Sequence, residues 1–133
     1  MDSNWYKSLK QPQLTPPDWI FAPVWTVLYL SMLVSFILMV KDGNISAKIS
    51  QIGLFMIQLA LNLLWPDLFF ARHMIFAAMV DIIILLVFII LTIISFWKVS
   101  PLAGAILIPY LLWVSFASYL NYQICVLNLF GND

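Results

Sequence analysis

The chain has 133 residues, of which 64% are hydrophobic and only 9% are charged, and its mean hydropathy is +1.01. A water-soluble domain carries about 25% charged residues, so this composition excludes a soluble fold and predicts an integral membrane protein in contact with the lipid bilayer. The net charge is zero. The sequence contains no basic tract, so nucleic acid is not predicted as a partner.

The chain begins with a polar, proline-rich stretch at residues 1–18, which lacks the apolar core of a signal peptide. Four long apolar runs follow, at about residues 19–40, 51–70, 74–97 and 101–129. Each is long enough for a membrane helix of roughly 20 residues, and the alternating pattern of a membrane β-barrel is absent. The sequence therefore predicts an all-α bundle of four transmembrane helices, forming one domain over residues 1–133.

The spacing of polar residues predicts which helix faces point into this bundle, because polar groups are costly in contact with lipid. In the second helix Gln58, Asn62 and Trp65 lie on one face, at i, i+4 and i+7. Similar stripes occur in the other three helices: Trp25, Tyr29, Met32 and Phe36; Asp81, Leu85, Phe88, Thr92 and Ser95; and Trp113, Ala117 and Asn121.

These faces predict an aromatic interior with a few amides, which suits a flat and mostly apolar ligand. The same pattern also fits an alternative without a ligand, which is more common in membrane helices. In that case the aromatic side chains only pack against each other, and the amides form hydrogen bonds between helices.

Few residues offer chemistry of another kind. Asp81 lies well inside the third run, where a proton-coupled role is one interpretation. A hydrogen-bonded structural carboxyl is favoured, since no basic residue accompanies it there. His73 is a lone histidine, so neither a metal site nor a cofactor is predicted. Cys125, the only cysteine, is interpreted as a buried small hydrophobe.

Several segments taken together resemble a known family. They are Trp5-Tyr6, Leu9, Pro12 and Thr15-Pro16-Pro17, then FAPVWTVLY at 21–29, QLALNLLW at 58–65, LFF at 68–70, VDIIIL at 80–85, and FWKVSPLAGAILIPYLLWVSFASYLN at 96–121. These stretches are similar to the TspO/MBR family, the translocator proteins and tryptophan-rich sensory proteins. The resemblance covers nearly the whole chain.

The resemblance implies a five-helix membrane fold with a ligand pocket that opens toward the first loop. Family ligands are porphyrins and haem-like tetrapyrroles, cholesterol in animal members, and drugs of the benzodiazepine or isoquinoline type. By position, the residues implied to bind ligand are Trp25, Tyr29, Asn62, Trp65, Trp113 and Ala117, with Trp5 and Tyr6 in a loop that covers the pocket.

The chain departs from the family pattern in several respects, and two of them affect the expected fold and ligand. The family has a complete membrane helix before the Trp-Tyr loop, whereas only residues 1–4 precede Trp5. We therefore expect four of the five helices, with an apolar flank between the first two that is covered by lipid, detergent or a second copy in a homodimer. In addition, no Lys or Arg follows Tyr119 or Tyr122, so a cholesterol motif is not supported and a tetrapyrrole is the better ligand.

Three functions follow from the resemblance. The first is a sensor or transporter that binds tetrapyrroles, in the cell membrane if the protein is microbial. The second is light-dependent oxidative degradation of protoporphyrin, for which Trp25 and Trp113 are the implied catalytic residues. The third is a structural membrane subunit without a small-molecule ligand.

Overall fold

The computed structural model describes residues 21–41 and 48–127. Helix α1 is Phe21–Val40, α2 is Ile49–Pro66, α3 is Ile75–Val99, α4 is Pro101–Ile106 and α5 is Ile108–Cys125. A π-helical turn, Asp67–Ala71, continues α2. Residues 1–20, including the predicted loop at 1–18 and Trp5 and Tyr6 within it, lie outside the described part of the chain.

Four segments are long and apolar enough to cross a membrane: Pro23–Val40, Ile49–Ala71, Ile75–Val99 and Pro101–Cys125. The prediction of an all-α bundle with four membrane helices is confirmed. Only helices satisfy every backbone N–H and C=O within a single span, and each segment has enough apolar surface to face lipid. The chain is an integral membrane protein.

The last span differs from the continuous helix predicted over 101–129, because it is divided at Leu107 into α4 and α5. Pro109, in the first turn of α5, has no N–H and its ring clashes with the carbonyl four residues earlier. The first of the two helices is capped by Ser100, whose Oγ accepts a hydrogen bond from the Ala103 N–H at 3.3 Å. A serine followed by proline is a typical helix start.

The second span is irregular where it ends. Pro66 cannot donate a hydrogen bond to the backbone carbonyl of Asn62, and the π-helical turn starts at the next residue. The Arg72 N–H closes this turn on the Asp67 carbonyl at 2.9 Å. His73 then adopts a left-handed φ of 55°, which reverses the chain into α3.

Helix α3 lies at the centre of the bundle and packs against α2, α4 and α5, while α1 packs mainly against α4. The α3–α4 approach depends on Gly104, where an added Cβ would lie 2.8 Å from Cε3 of Trp97. On the opposite side, α1 and α2 meet through side chains such as Phe36 and Phe55, whose ring centroids are 4.8 Å apart. The backbones of α3 and α4 are therefore close together at Gly104, whereas α1 and α2 are in contact through large side chains.

Candidate functional site

The predicted inward face of α2 is buried throughout. Gln58 is 1% exposed, Asn62 is fully buried and Trp65 is 4% exposed. Their spacing of four and three residues places all three on one side of the helix. Lipid-facing positions between them, such as Leu63 and Leu64, are exposed by 55% and 43%. The polar groups of this span therefore point into the protein.

A chain of buried hydrogen bonds joins three spans at this face. The Tyr29 hydroxyl donates to Oδ1 of Asn62 at 2.6 Å, and Nδ2 of Asn62 donates to the Tyr110 hydroxyl at 2.9 Å. Tyr110 donates in turn to Oε1 of Gln58 at 2.7 Å. The other end of the Gln58 amide lies 3.9 Å from the sulfur of Met32. These contacts, here called the polar network, connect α1, α2 and α5.

An aromatic cluster lies next to this network, toward the π-helical turn. The ring of Trp25 is 6.2 Å from that of Tyr29 and 6.2 Å from that of Trp65. Trp65 stacks on Phe69 with centroids 5.2 Å apart and meets Phe70 edge to face at 5.8 Å. Offset and edge-to-face ring pairs of this kind are favourable arrangements.

The indole of Trp65 is held in place by α5. Its Nε1 donates to Oδ1 of Asn121 at 2.9 Å, and Nδ2 of Asn121 donates to the Ile75 carbonyl at 3.2 Å. One amide thus links α5 to the end of α2 and to the start of α3. This fixes the orientation of the large ring that the sequence assigned to the ligand pocket.

A small cavity of about 10 Å³ lies against this indole. Its lining consists of Trp65, Phe69, Phe70, Ala117, Leu120, Asn121 and Ile124. This volume is close to the space of a single water molecule. The rings and the amide around this cavity therefore leave room for about one water molecule.

The structure brings together only part of the predicted site. Trp25, Tyr29, Asn62 and Trp65 lie in the polar network and the aromatic cluster, and Ala117 lines the cavity with Trp65. Trp113 is half-buried beside them on α5, where its ring pairs with Phe116 at 5.6 Å. It is not among the residues that line the cavity.

Three residues of this region were not identified from the sequence. Tyr110, which is 1% exposed, links Asn62 to Gln58, and Phe69 and Phe70 close the cavity. A signal for Tyr110 was present, because it lies seven residues before Ala117 and therefore on the same helix face. Phe69 and Phe70 lie in the π-helical turn after Pro66. Because the helical period changes there, α-helical spacing did not predict that they face the interior.

Asp81 is buried, with 5% of its surface exposed. The hydrogen bond expected for this carboxyl is not found, since neither oxygen has a partner among residues 21–41 and 48–127. In the same part of the chain, the structure groups no three His, Cys, Asp or Glu side chains that could hold a metal ion.

Comparison with known proteins agrees with the resemblance seen in the sequence. The chain is 44% identical over 127 residues to the tryptophan-rich protein TspO of Chlorobaculum tepidum, covering 95% of this chain and 80% of that protein. It is 38% identical over 121 residues to the translocator protein of Homo sapiens, covering 90% and 72% of the two chains.

A third relative is the tryptophan-rich sensory protein of Cereibacter sphaeroides, 29% identical over 125 residues, with 94% of this chain and 77% of that protein covered. The sequence model of the TspO/MBR family matches residues 1–127. With nearly the whole chain matched, and with four helices long and apolar enough to cross a membrane, the protein belongs to the TspO/MBR family.

Proposed function

We propose that this protein binds tetrapyrroles and similar flat, apolar ligands between α1, α2 and α5, and acts as a membrane sensor or transporter. The family supports the general role, since relatives carry the names translocator protein and tryptophan-rich sensory protein. The choice of ligand rests on the chemistry of the interior.

The observation that carries the proposal is the pairing of Trp25 with Trp65 across α1 and α2, with ring centroids 6.2 Å apart. Two indoles from separate helices offer broad faces on which a planar ring can stack. The polar network begins one turn below them, at Tyr29 and Asn62. Its hydroxyl and amide groups supply the few polar contacts that orient a mostly apolar ligand.

Binding has to enlarge the site. A cavity of about 10 Å³ is far smaller than the roughly 300–1,000 Å³ of a pocket for a drug-sized ligand. Phe69 and Phe70 lie on the π-helical turn, and such turns often occur at functional sites. We propose that this turn moves outward when a ligand binds, because Phe69 and Phe70 line the cavity but are not members of the polar network.

The test is a titration of the detergent-solubilised protein with protoporphyrin in the dark, followed by the absorption band of the porphyrin. Each stacking contact adds about 0.5–1.5 kcal/mol, so Trp25→Phe and Trp65→Phe should each raise the dissociation constant roughly 2- to 10-fold. Trp113→Phe tests the third tryptophan that the family resemblance implies.

Trp97→Phe is the matched control, since Trp97 lies near the far end of α3 and is 46% exposed. Equal dissociation constants for Trp25→Phe, Trp65→Phe and Trp97→Phe would contradict the proposed site. Working in the dark separates binding from light-dependent oxidation. That activity stays a prediction, based on Trp25 and Trp113.

A further inference from the structure

Asp81 is the one acidic side chain that is buried inside a described membrane span. Asp81 is 5% exposed, and both of its carboxyl oxygens lack a hydrogen-bond partner among the described residues. A buried polar group without a partner is costly, and a buried charge is more so. A position of this kind is typical of functional sites within membranes.

The surroundings of Asp81 explain why it is unsatisfied. Its neighbours on the buried face of α3 are Ala78, Ile82 and Leu85, which offer no donors. Tyr110 of α5 is also buried, but its hydroxyl donates to Gln58 and forms no hydrogen bond with the carboxyl.

No lysine or arginine among the described residues forms an ion pair with Asp81. Arg72, at the same end of the bundle, forms an ion pair with Asp67 at 2.8 Å and is 64% exposed. The described lysines, Lys41, Lys48 and Lys98, lie at the opposite end of the helices. The carboxyl therefore has acceptor capacity that these parts of the protein do not use.

Asp81 lies at the depth of the proposed pocket. It is six residues after the start of α3 at Ile75, and Trp65 is six residues before the end of the preceding span at Ala71. At 1.5 Å per residue, both are about 9 Å from the connection between these antiparallel segments. Helices α2 and α3 pack along each other, so the carboxyl and the indole lie at one level in the interior.

We infer that Asp81 is the acceptor that selects nitrogen-bearing ligands in the pocket, by accepting a hydrogen bond from an N–H or ammonium group of an otherwise flat, apolar molecule. A charge-assisted hydrogen bond is stronger than a neutral one, and forming it removes the cost of an unpaired buried carboxyl. This inference rests on the proposed function and extends the proposed pocket from α1, α2 and α5 to the buried face of α3, where Asp81 lies.

The experiment uses two probes of one shape, 1-pyrenemethylamine and 1-methylpyrene, which differ by a single amine. Their dissociation constants are measured by fluorescence titration for the solubilised wild-type protein, Asp81→Asn and Asp81→Leu. Because hydrogen bonds to charged groups are stronger than neutral ones, we expect both variants to bind the amine about tenfold or more weakly. Binding of 1-methylpyrene should change less than about twofold.

Thr92→Val is the matched control, because Thr92 is also buried on α3 but bonds only to the carbonyl of Phe88 in its own helix. It should leave the affinity for both probes unchanged. Thermal unfolding provides a second measurement. Removing a carboxyl without a protein partner should keep or raise the unfolding midpoint of Asp81→Leu, whereas loss of a structural hydrogen bond would lower it.

The outcomes separate the inference from the proposed function. If 1-methylpyrene binds but the amine has the same affinity for wild type and Asp81→Asn, the inference is wrong and the pocket remains. If the Asp81 variants lose both probes equally and unfold at lower temperature, Asp81 is structural and the inference is wrong. If neither probe binds the wild type, the proposed pocket is wrong, and the inference with it.

Discussion

The hydroxyl of Tyr110 accepts a 2.9 Å hydrogen bond from Nδ2 of Asn62 in the middle of the bundle. It also donates at 2.7 Å to Gln58, one turn along α2. A single phenol on α5 thus pairs with both amides of the facing helix. Together with the hydrogen bond from Trp65 to Asn121, it fixes the register of α5 against α2.

Tyr110→Phe should therefore destabilise the protein. The ring stays, but Asn62 loses an acceptor and Gln58 loses a donor, and each unsatisfied buried group costs about 1–3 kcal/mol. Since interhelical hydrogen bonds in membrane proteins average only about 0.6 kcal/mol, we expect a total loss of about 1–3 kcal/mol in thermal unfolding. Tyr119→Phe, on the same helix but 42% exposed, is the control. Equal midpoints for the two variants would contradict the polar network.

Ser35→Ala tests the contact between α1 and α4. Ser35 is fully buried, and its Oγ donates to the Ala103 carbonyl at 2.7 Å. We expect a loss of about 0.5–1.5 kcal/mol, the usual value of one hydrogen bond. Ser31→Ala serves for comparison, since Ser31 bonds only to the Val27 carbonyl within α1. A Ser31 variant that is the less stable of the two would argue against a stabilising link between α1 and α4.

Two glycines give a matched pair of alanine substitutions. At Gly104 a new Cβ would lie 2.8 Å from Cε3 of Trp97 and 3.1 Å from the Ile93 carbonyl, whereas at Gly53 it meets nothing within 4 Å. Gly104→Ala should cost about 1–3 kcal/mol, because overpacking forces the helices apart. Gly53→Ala should be neutral or stabilise α2 by up to about 1 kcal/mol. The measurement is the unfolding midpoint; a Gly104→Ala protein as stable as wild type would show that α3 and α4 are not in close contact.

Phe69→Leu should ease ligand entry. The smaller side chain loses its stacking on Trp65, so the closed state is weakened by about 1–2 kcal/mol. Stopped-flow mixing with protoporphyrin should then show association several times faster than for wild type. Phe76→Leu, on the exposed side of α3 with 57% of its surface accessible, should bind at the wild-type rate. If both variants match wild type, opening does not proceed through this aromatic cluster.

The helical architecture was predictable because a bilayer imposes simple rules on a chain. Long apolar runs must be helices, and buried polar positions must repeat at helical spacing. Gln58, Asn62 and Trp65 followed that rule and are buried. The face of α5 was predicted less well: Ala117 and Asn121 are buried, but Trp113 is only half-buried, and Tyr110 was missed.

The remaining features depend on contacts that no local pattern contains. The break at Leu107 follows from Pro109, which the continuous apolar run concealed. The π-helical turn changes the direction of Phe69 and Phe70, so helical spacing cannot place them. The hydrogen bond between Ser35 and Ala103 joins residues far apart in the chain, and only tertiary packing reveals it. The missing partner of Asp81 among the described residues is likewise visible only in the folded chain.

The division of the last span at Leu107 separates two mechanical tasks. Helix α4 is locked to α1 by Ser35 and to α3 by the close approach at Gly104, while α5 carries the side chains that line the cavity. A change in the cavity lining of α5 can therefore occur beyond the break at Leu107 without disturbing the contacts that hold α4 to α1 and α3.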